Sequence, residues 1–383
     1  MIVALGAWAL VYAVVCAVAV ARAQQSARRP RVVAPPSEPV LLLRPCAGAE
    51  ASLARALALP SDALPPGSRV RFGVAQPDDA AAPFAEAAAA ALRAQGVDAA
   101  LCVTHAAAPN QKAAQLAAMM VNTPDDCPLV AVVDSDVDPG SLDWPALCAP
   151  LADASVAAVW SPTVEVARGT AGDRASAALL SVTLHAFPLL SGLDPAGLVG
   201  KVMVVRRDAL LAVGGFAALA RYLGEDMELA RRLRAQGGRV VATASVARAL
   251  TAGRAWEAAV ARYARWMTVI RGQRPALLAS YPLLFFAVPL LVPGLAAAAL
   301  AATGPMRAVA AGLWVAVLAA RGAVALAGRW RAGVGPWGLG LVVDAAMGDV
   351  LLARAFVRAL RGRTVHWRGR ALTVGRDGVL VEA

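Results

Sequence analysis

Lysine is nearly missing from this sequence. Of its 37 basic residues 35 are arginine, and only Lys112 and Lys201 are lysine. Histidine is also scarce, with His105, His185 and His366 scattered and no HExxH spacing, so histidine-based metal catalysis has no support. The five cysteines (Cys16, Cys46, Cys102, Cys127, Cys148) are widely spaced and form no CxxC. That excludes a disulfide framework and a zinc site, and suits a reducing cytosol. Aromatics make up 5% and charged residues 16% of the chain. Hydrophobic residues reach 59% with a mean hydropathy of +0.58, well above an ordinary soluble domain. Disorder is excluded for most of the length, and a membrane protein is the leading class. The 383 residues suffice for one catalytic domain of roughly 200–250 residues plus membrane segments.

The net charge of +11 is unevenly placed. Residues 251–383 hold sixteen arginines and five acids, whereas the preceding 250 residues balance at 21 basic and 21 acidic. A nucleic-acid protein would carry its excess on the folded domain. Here the excess flanks apolar segments, which points to anionic headgroups and positive-inside topology rather than to nucleic acid. The arginine skew itself resembles GC-rich codon usage. The two surviving lysines are then expected where a compact ammonium is needed, for instance on phosphate oxygens.

Residues 1–21 carry no side-chain charge and are long enough to span a bilayer, with Arg22, Arg28, Arg29 and Arg31 following. That order reads as a retained anchor over 1–22 with the next segment in the cytosol, rather than as a cleaved signal. A Pro/Ser/Arg linker occupies 23–39. Between 40 and 250, β-rich runs at 40–43, 70–74, 99–103, 129–133, 156–160, 202–205 and 240–244 alternate with helical stretches at 82–94, 111–120, 175–185 and 226–235. This alternation predicts an α/β domain with a mostly parallel sheet, whose ligands bind beyond the carboxyl ends of the strands. Residues 251–274 read as an amphipathic interface helix with Trp256, Tyr263 and Trp266 among its arginines. Residues 275–360 read as C-terminal membrane segments, with spans at 278–301 and 308–327. A segment at 338–359, whose Asp344, Asp349 and Arg354 are costly in lipid, reads as re-entrant or interfacial. A basic cytosolic tail fills 361–383.

The candidate chemistry is acidic. Asp134-Ser135-Asp136 directly follows the apolar run 129–133, and two carboxylates at a strand's end can hold a divalent cation that bridges a diphosphate. Alone, the triplet is also what a plain acidic turn carries. Asp138 extends it towards a calcium loop, but Pro139 and Pro145 occupy the glycine and closing-glutamate positions and exclude that reading. Gly224-Glu225-Asp226 opens a helix, where acids favour the dipole and one of them is free to act as a general base. Asp78-Asp79 follows a strand, as turn acids also do. Arg262 and Arg265 stand three apart beside Trp266, suited to a departing diphosphate or equally to snorkelling at an interface.

Taken in order, an acidic pair, Asn110-Gln111-Lys112, the DxD triplet, Glu225-Asp226, the Arg262 to Trp266 helix and membrane spans resemble the processive-type inverting glycosyltransferases. Within them the chain resembles family 21, the ceramide glucosyltransferase group that includes bacterial hopanoid-lipid glycosyltransferases. Leu43-Arg44-Pro45 with Gly48-Ala49-Glu50 is similar to that family's LKPLxGxE opening, and Trp367-Arg368-Gly369-Arg370 to its WRxGR element. Departures fall at Gln76-Pro77 and Ala114-Gln115. The resemblance implies a GT-A-like domain with N- and C-terminal membrane segments, on the cytosolic face of a bacterial inner membrane. It implies UDP-sugar as donor, with Asp79 on the uridine, and Lys112, Asp134 and Glu225 on the donor side. Asp134 and Asp136 would hold Mg2+ or Mn2+, and Asp226 would be the base. Arg262, Arg265 and Trp266 would sit over the diphosphate, with His185 and Lys201 on the acceptor side. The product would be a β-glycolipid, formed most simply by glucose transfer to ceramide, with a hopanoid or other lipid alcohol as the alternative acceptor. A non-catalytic membrane scaffold is the competing class.

Overall fold

A computed structural model describes residues 2–27, 38–60, 63–121, 123–194, 197–362, 364–367 and 370–382. Most of the expected linker, with Arg28, Arg29 and Arg31, and Arg368 and Gly369 of the WRxGR-like element lie outside them. The chain forms two compact units. An apolar unit gathers Met1–Arg28, Thr170–Asp194 and Arg254–Ala359, and an α/β unit takes Arg29–Gly169, Pro195–Gly253 and Leu360–Ala383.

In the α/β unit, seven strands make the main sheet. They are β1 (Val40–Pro45), β2 (Arg69–Val74), β3 (Asp98–Val103), β4 (Leu129–Val133), β6 (Val156–Trp160), β8 (Val202–Arg206) and β9 (Arg239–Ala242), in spatial order β3-β2-β1-β4-β8-β6-β9. Each of the seven expected β-rich runs forms one of them. β1 and β4 are buried along their whole length, as the uninterrupted apolar runs VLLL and LVAVV require of central strands. β1 pairs in parallel with β2 and β4, so the loops after these strands emerge at one end of the sheet. β8 alone runs antiparallel to both neighbours, with Val133 opposite Val202. Its amino end therefore lies beside the carboxyl end of β4. Helices α2 (Leu53–Leu57), α3 (Ala82–Arg93), α4 (Gln111–Val121), α5 (Trp144–Cys148), α8 (Arg207–Ala212) and α9 (Glu225–Ala235) complete this unit. Gly73 lets α4 close on β2, since a Cβ there would stand 2.7 Å from the Met119 sulfur.

Two smaller sheets accompany it. β5 (Val137–Asp138), β7 (Thr163–Glu165) and β10 (Ala247–Ala249) form one, in order β5-β10-β7. Residues 361–383, expected as a basic tail, instead supply the other. Here β11 (Thr364–Trp367), β12 (Arg370–Val374) and β13 (Leu380–Glu382) pair antiparallel. Alternation explains it, because Leu372, Val374 and Leu380 are buried at 1–4% exposure while Ala371 and Val381 are exposed and Thr373 is half-buried.

The apolar unit contains α1 (Ile2–Ala27), α6 (Ala171–Val182), α7 (Phe187–Leu193), α10 (Trp256–Gln273), α11 (Pro275–Ala279), α12 (Tyr281–Leu284), α13 (Ala287–Ala301), α14 (Gly304–Ala332) and α15 (Leu339–Arg361). Among the described residues four segments are long and apolar enough to cross a membrane: Ile2–Ala27, Ala171–Leu193, Pro275–Ala301 and Gly304–Ala332. The expected span at 278–301 is thus broken near Ser280 and Phe286, each break preceding or following a proline-bearing first turn. Segment Ala171–Leu193 lies inside the stretch assigned by sequence to the α/β domain, yet folds with the apolar helices. It is mostly buried whereas the other three are mostly exposed, and α6 packs against α10 and α14. Glycines allow this. A Cβ on Gly328 of α14 would lie 2.4 Å from the Ser181 carbonyl, and one on Gly348 of α15 would lie 3.0 Å from the Thr183 methyl.

The acids of 338–359, costly in lipid, are all paired within this unit. Asp344 is fully buried and accepts from Arg174 Nε at 2.9 Å and Arg329 Nη2 at 2.6 Å. Arg321 bonds Asp349 at 3.1 Å and the Val182 carbonyl at 2.6 Å. α15 is consequently one continuous helix of 23 residues. Breaking a buried pair on one side strands the partner's charge, at a cost of about 3–5 kcal/mol. Asp344→Leu is therefore expected to lower the unfolding temperature in detergent well below that of the wild type. The double change with Arg329→Met should recover a large part of it. An unchanged melting curve for Asp344→Leu would show that the pair does not anchor α15.

Candidate active site

The carboxyl end of β4 delivers the DxD triplet. Val137 N–H closes a turn onto the Asp134 carbonyl at 3.1 Å, and Asp134 N–H donates to the Lys201 carbonyl at 2.8 Å across the antiparallel β4–β8 pair. Beneath this loop lies Arg44, fully buried on β1. Its Nη2 donates to the carbonyls of Ala56 (2.9 Å), Asp134 (3.1 Å) and Val137 (3.2 Å), while its Nε and Nη1 make no hydrogen bond among the described residues. Burial pulls its proton affinity down, opposed by Cys46 and by Asp134, Asp136 and Asp138 nearby. Sequence reasoning assigned Arg44 no role. The available signal was a basic residue inside a strand otherwise apolar throughout.

Both lysines of the chain stand against the DxD carboxylates. Lys112, in the first turn of α4, places Nζ 2.7 Å from Asp134 Oδ1, 3.4 Å from Glu225 Oε1 and 2.8 Å from the Gly200 carbonyl. Burial acts to lower its proton affinity, but Asp134 and Glu225 outweigh that and raise it above the ordinary lysine value. Asn110 caps the same helix by accepting from Ala113 N–H at 3.0 Å. Its amide donates to Glu225 Oε2 at 3.0 Å and to the Tyr222 carbonyl at 2.8 Å. Lys201 pairs with Asp136, whose Oδ2 also accepts from Thr251 Oγ1 at 2.8 Å.

Asp226 completes the cluster from the first turn of α9. Its Oδ2 accepts from Gly200 N–H at 2.7 Å and its Oδ1 from Met227 N–H at 2.8 Å. Gly200 permits the approach, since a Cβ there would stand 3.0 Å from that of Asp226. Burial first, and the neighbouring Glu225 charge second, push the Asp226 carboxyl up to about 6. Lys112 and the two N–H donors pull the other way. A carboxylate in that range accepts a proton at neutral pH more readily than an ordinary aspartate does.

The remaining candidates stand elsewhere. Asp79 Oδ1 accepts from Gly48 N–H at 2.8 Å and Ala81 N–H at 2.9 Å, joining the loop after β1 to the start of α3 at the same end of the sheet. Arg262, Arg265, Trp266 and His185 belong to the apolar unit. There the Arg262 guanidinium lies 4.9 Å above Trp266, which packs on Tyr263 at 4.9 Å and Phe187 at 5.7 Å. His185 falls beyond the end of α6 and not within it, because Thr183 Oγ1 turns the chain by accepting His185 N–H at 3.0 Å. Its ring is buried between Phe187, Tyr281 and Phe285, with Nδ1 3.2 Å from the Tyr281 hydroxyl.

Among the described residues no group of three or more histidine, cysteine or acidic side chains is gathered for a metal. Asp134 and Asp136 nonetheless fit one particular class. Two carboxylates with no third protein ligand suit Mg2+ or Mn2+, which keep waters and complete their shell with substrate phosphates.

A family model described as glycosyl transferase family 21 matches residues 1–380, so the chain belongs to that family and is a glycosyltransferase. A mannosyltransferase of Pyrobaculum calidifontis, solved in complex with GDP-mannose and Mn2+, is similar at 19% identity and a TM-score of 0.48, over 93% of this chain and 99% of that one. No curated protein matches the chain.

Arg44→Met would leave the Asp134, Val137 and Ala56 carbonyls without their shared donor. A buried acceptor left unsatisfied costs about 1–3 kcal/mol. The expected result is a lowered unfolding temperature, with Arg44→Lys closer to wild type because it keeps a donor. Equal melting of Arg44→Met and wild type would remove Arg44 as the prop of the loop.

Proposed function

We propose that this family 21 glycosyltransferase moves glucose from UDP-glucose to the hydroxyl of ceramide with inversion, giving a β-glucolipid. The observation that carries the reading is Asp226. It is a carboxylate of raised proton affinity, fixed by two backbone donors, in one cluster with the DxD carboxylates. Those two features are what single-displacement sugar transfer needs, namely a base for the acceptor and a holder for the diphosphate.

In this reading Asp226 takes the proton of the lipid hydroxyl as its oxygen bonds to the anomeric carbon. The bond from that carbon to the UDP oxygen breaks in the same displacement, and UDP leaves with the bonding electrons. The N–H groups of Gly200 and Met227 fix the Asp226 oxygens, so little reorganisation is needed as the proton arrives. Asp134 and Asp136 would hold Mg2+ or Mn2+, which when bound neutralises the diphosphate. Lys112 and Lys201 pair with those carboxylates and orient them. Asp79 is assigned to the uridine, Glu225 and Lys112 to the donor side, and Arg262, Arg265 and Trp266 to the diphosphate, on the strength of the family motif. His185 and Lys201 are assigned to the acceptor side on the same ground. The apolar helices and the arginine-rich C-terminal third support an acceptor taken from the bilayer and a cytosolic catalytic unit.

Asp226→Asn keeps the shape but cannot take a proton, and should reduce turnover by about 10²–10⁴-fold. UDP affinity should stay within about twofold of wild type. Full turnover in that variant would dismiss Asp226 as the base. The working form is the carboxylate, so activity should rise with pH through about 6 and fall away below it. Lys112→Met removes a charge that favours the carboxylate, and should move this acidic limb to higher pH. A limb that stays in place would show that Lys112 does not govern the base. Lipid mass spectrometry of cells gaining or losing the gene reads headgroup and acceptor together. A glycosylated hopanoid there would replace ceramide as acceptor, and the absence of UDP release with any lipid would favour a scaffold.

A further inference from the structure

The C-terminal sheet does more than end the chain. It lies edge-on against residues 221–223, immediately before Gly224-Glu225-Asp226. Leu223 N–H donates to the Gly378 carbonyl at 3.0 Å, Leu380 N–H donates to the Arg221 carbonyl at 2.7 Å, and Tyr222 bridges Val379 antiparallel. Asp377 adopts a left-handed φ of 62° to turn the chain into this contact, a conformation that aspartate tolerates better than most residues. Tyr222, Leu372 and Leu380 are themselves buried.

A second attachment lies on the other catalytic loop. Arg370 Nη1, on β12, donates to the Ala108 carbonyl at 3.1 Å, two residues before Asn110. Asn110 then ties the two loops together, its N–H donating to Ala220 at 2.9 Å and its side chain to Tyr222 at 2.8 Å. Sheet, base-bearing helix and lysine-bearing helix therefore meet in one hydrogen-bonded frame. Two strand-type bonds, beside the buried Tyr222 and Leu380, hold the approach to the helix that begins at Glu225.

We infer that the C-terminal sheet is a positioning element of the catalytic centre, which sets Asp226 and Lys112 against the DxD loop by clamping residues 221–223 and Ala108. It touches no reacting atom. The inference rests on Asp226 being the base, and its effect is on turnover rather than on UDP binding.

The test uses the full-length protein in detergent with ceramide and UDP-glucose, following UDP release. Leu380→Pro removes the N–H that bonds the Arg221 carbonyl, whereas Leu380→Ala trims packing and keeps the donor. A misplacement of about 1 Å in a catalytic group costs up to about 100-fold. In Leu380→Pro we therefore expect kcat to fall by about tenfold or more. Its UDP affinity should stay within about twofold, and Leu380→Ala should lie close to wild type. Hydrogen exchange should quicken at 221–226 in the proline variant while 364–374 stays protected. Equal kcat in the two variants, or unaltered exchange at 221–226, overturns the inference. If the proline variant does not fold, the wild type decides. Its Leu223 amide should be protected like those of the main sheet, and exchange at the rate of an open loop refutes the clamp. Residual full activity of Asp226→Asn would remove the base reading, while the exchange results would still report on docking alone.

Discussion

One buried ammonium joins the elements that make up the candidate catalytic cluster. Lys112 lies between Asp134 on the loop after β4 and Glu225 at the start of α9, and also bonds the carbonyl of Gly200 beside β8. Those three elements approach from separate stretches of sequence, each bringing negative charge or a carbonyl to the same place. Without a cation between them their carboxylates would repel and the loops would part. A flexible lysine with three donors meets three acceptors that no planar guanidinium would satisfy together.

The charge balance of the site follows from that arrangement. Asp136 is matched by Lys201, and Arg44 underpins the loop's carbonyls from within the sheet. Asp226, by contrast, has no cation in direct contact among the described residues and is held by amide donors. The difference divides the labour among the carboxylates. Asp134 and Asp136 are each held by a lysine ammonium, whereas burial and the neighbouring Glu225 raise the proton affinity of Asp226.

In the apolar unit, the same physics is used for cohesion. Small residues let α14 and α15 close on α6, and the charges that would be prohibitive in lipid meet one another inside the bundle. Tyr263 of α10 shares a 2.8 Å hydrogen bond with Ser176 of α6, so the helix carrying Arg262, Arg265 and Trp266 is docked on that same enclosed helix. Its buried face includes Ala259, Val260, Tyr263, Ala264 and Met267.

The sequence by itself determined the strands of the main sheet, the apolar helices and the order of the acidic motifs. Local patterning suffices there, because continuous apolar runs, helical spacing and a carboxylate pair after a strand are all contained in short windows. It also singled out Lys112 and Lys201, through the near-absence of lysine elsewhere. Only the tertiary structure decided what those lysines touch, because an antiparallel β8 had to bring Lys201 beside β4. It likewise decided that α6 leaves the α/β unit for the apolar one. The helix expected at 175–185 reads from sequence as part of the α/β domain, since an alanine-rich helix shows the same periodicity whether sheet or helices enclose it. The role of Arg44 and the folding of residues 364–382 were illegible for a related reason. A buried charge and a short edge strand are defined by partners distant in sequence, and no local window contains those partners.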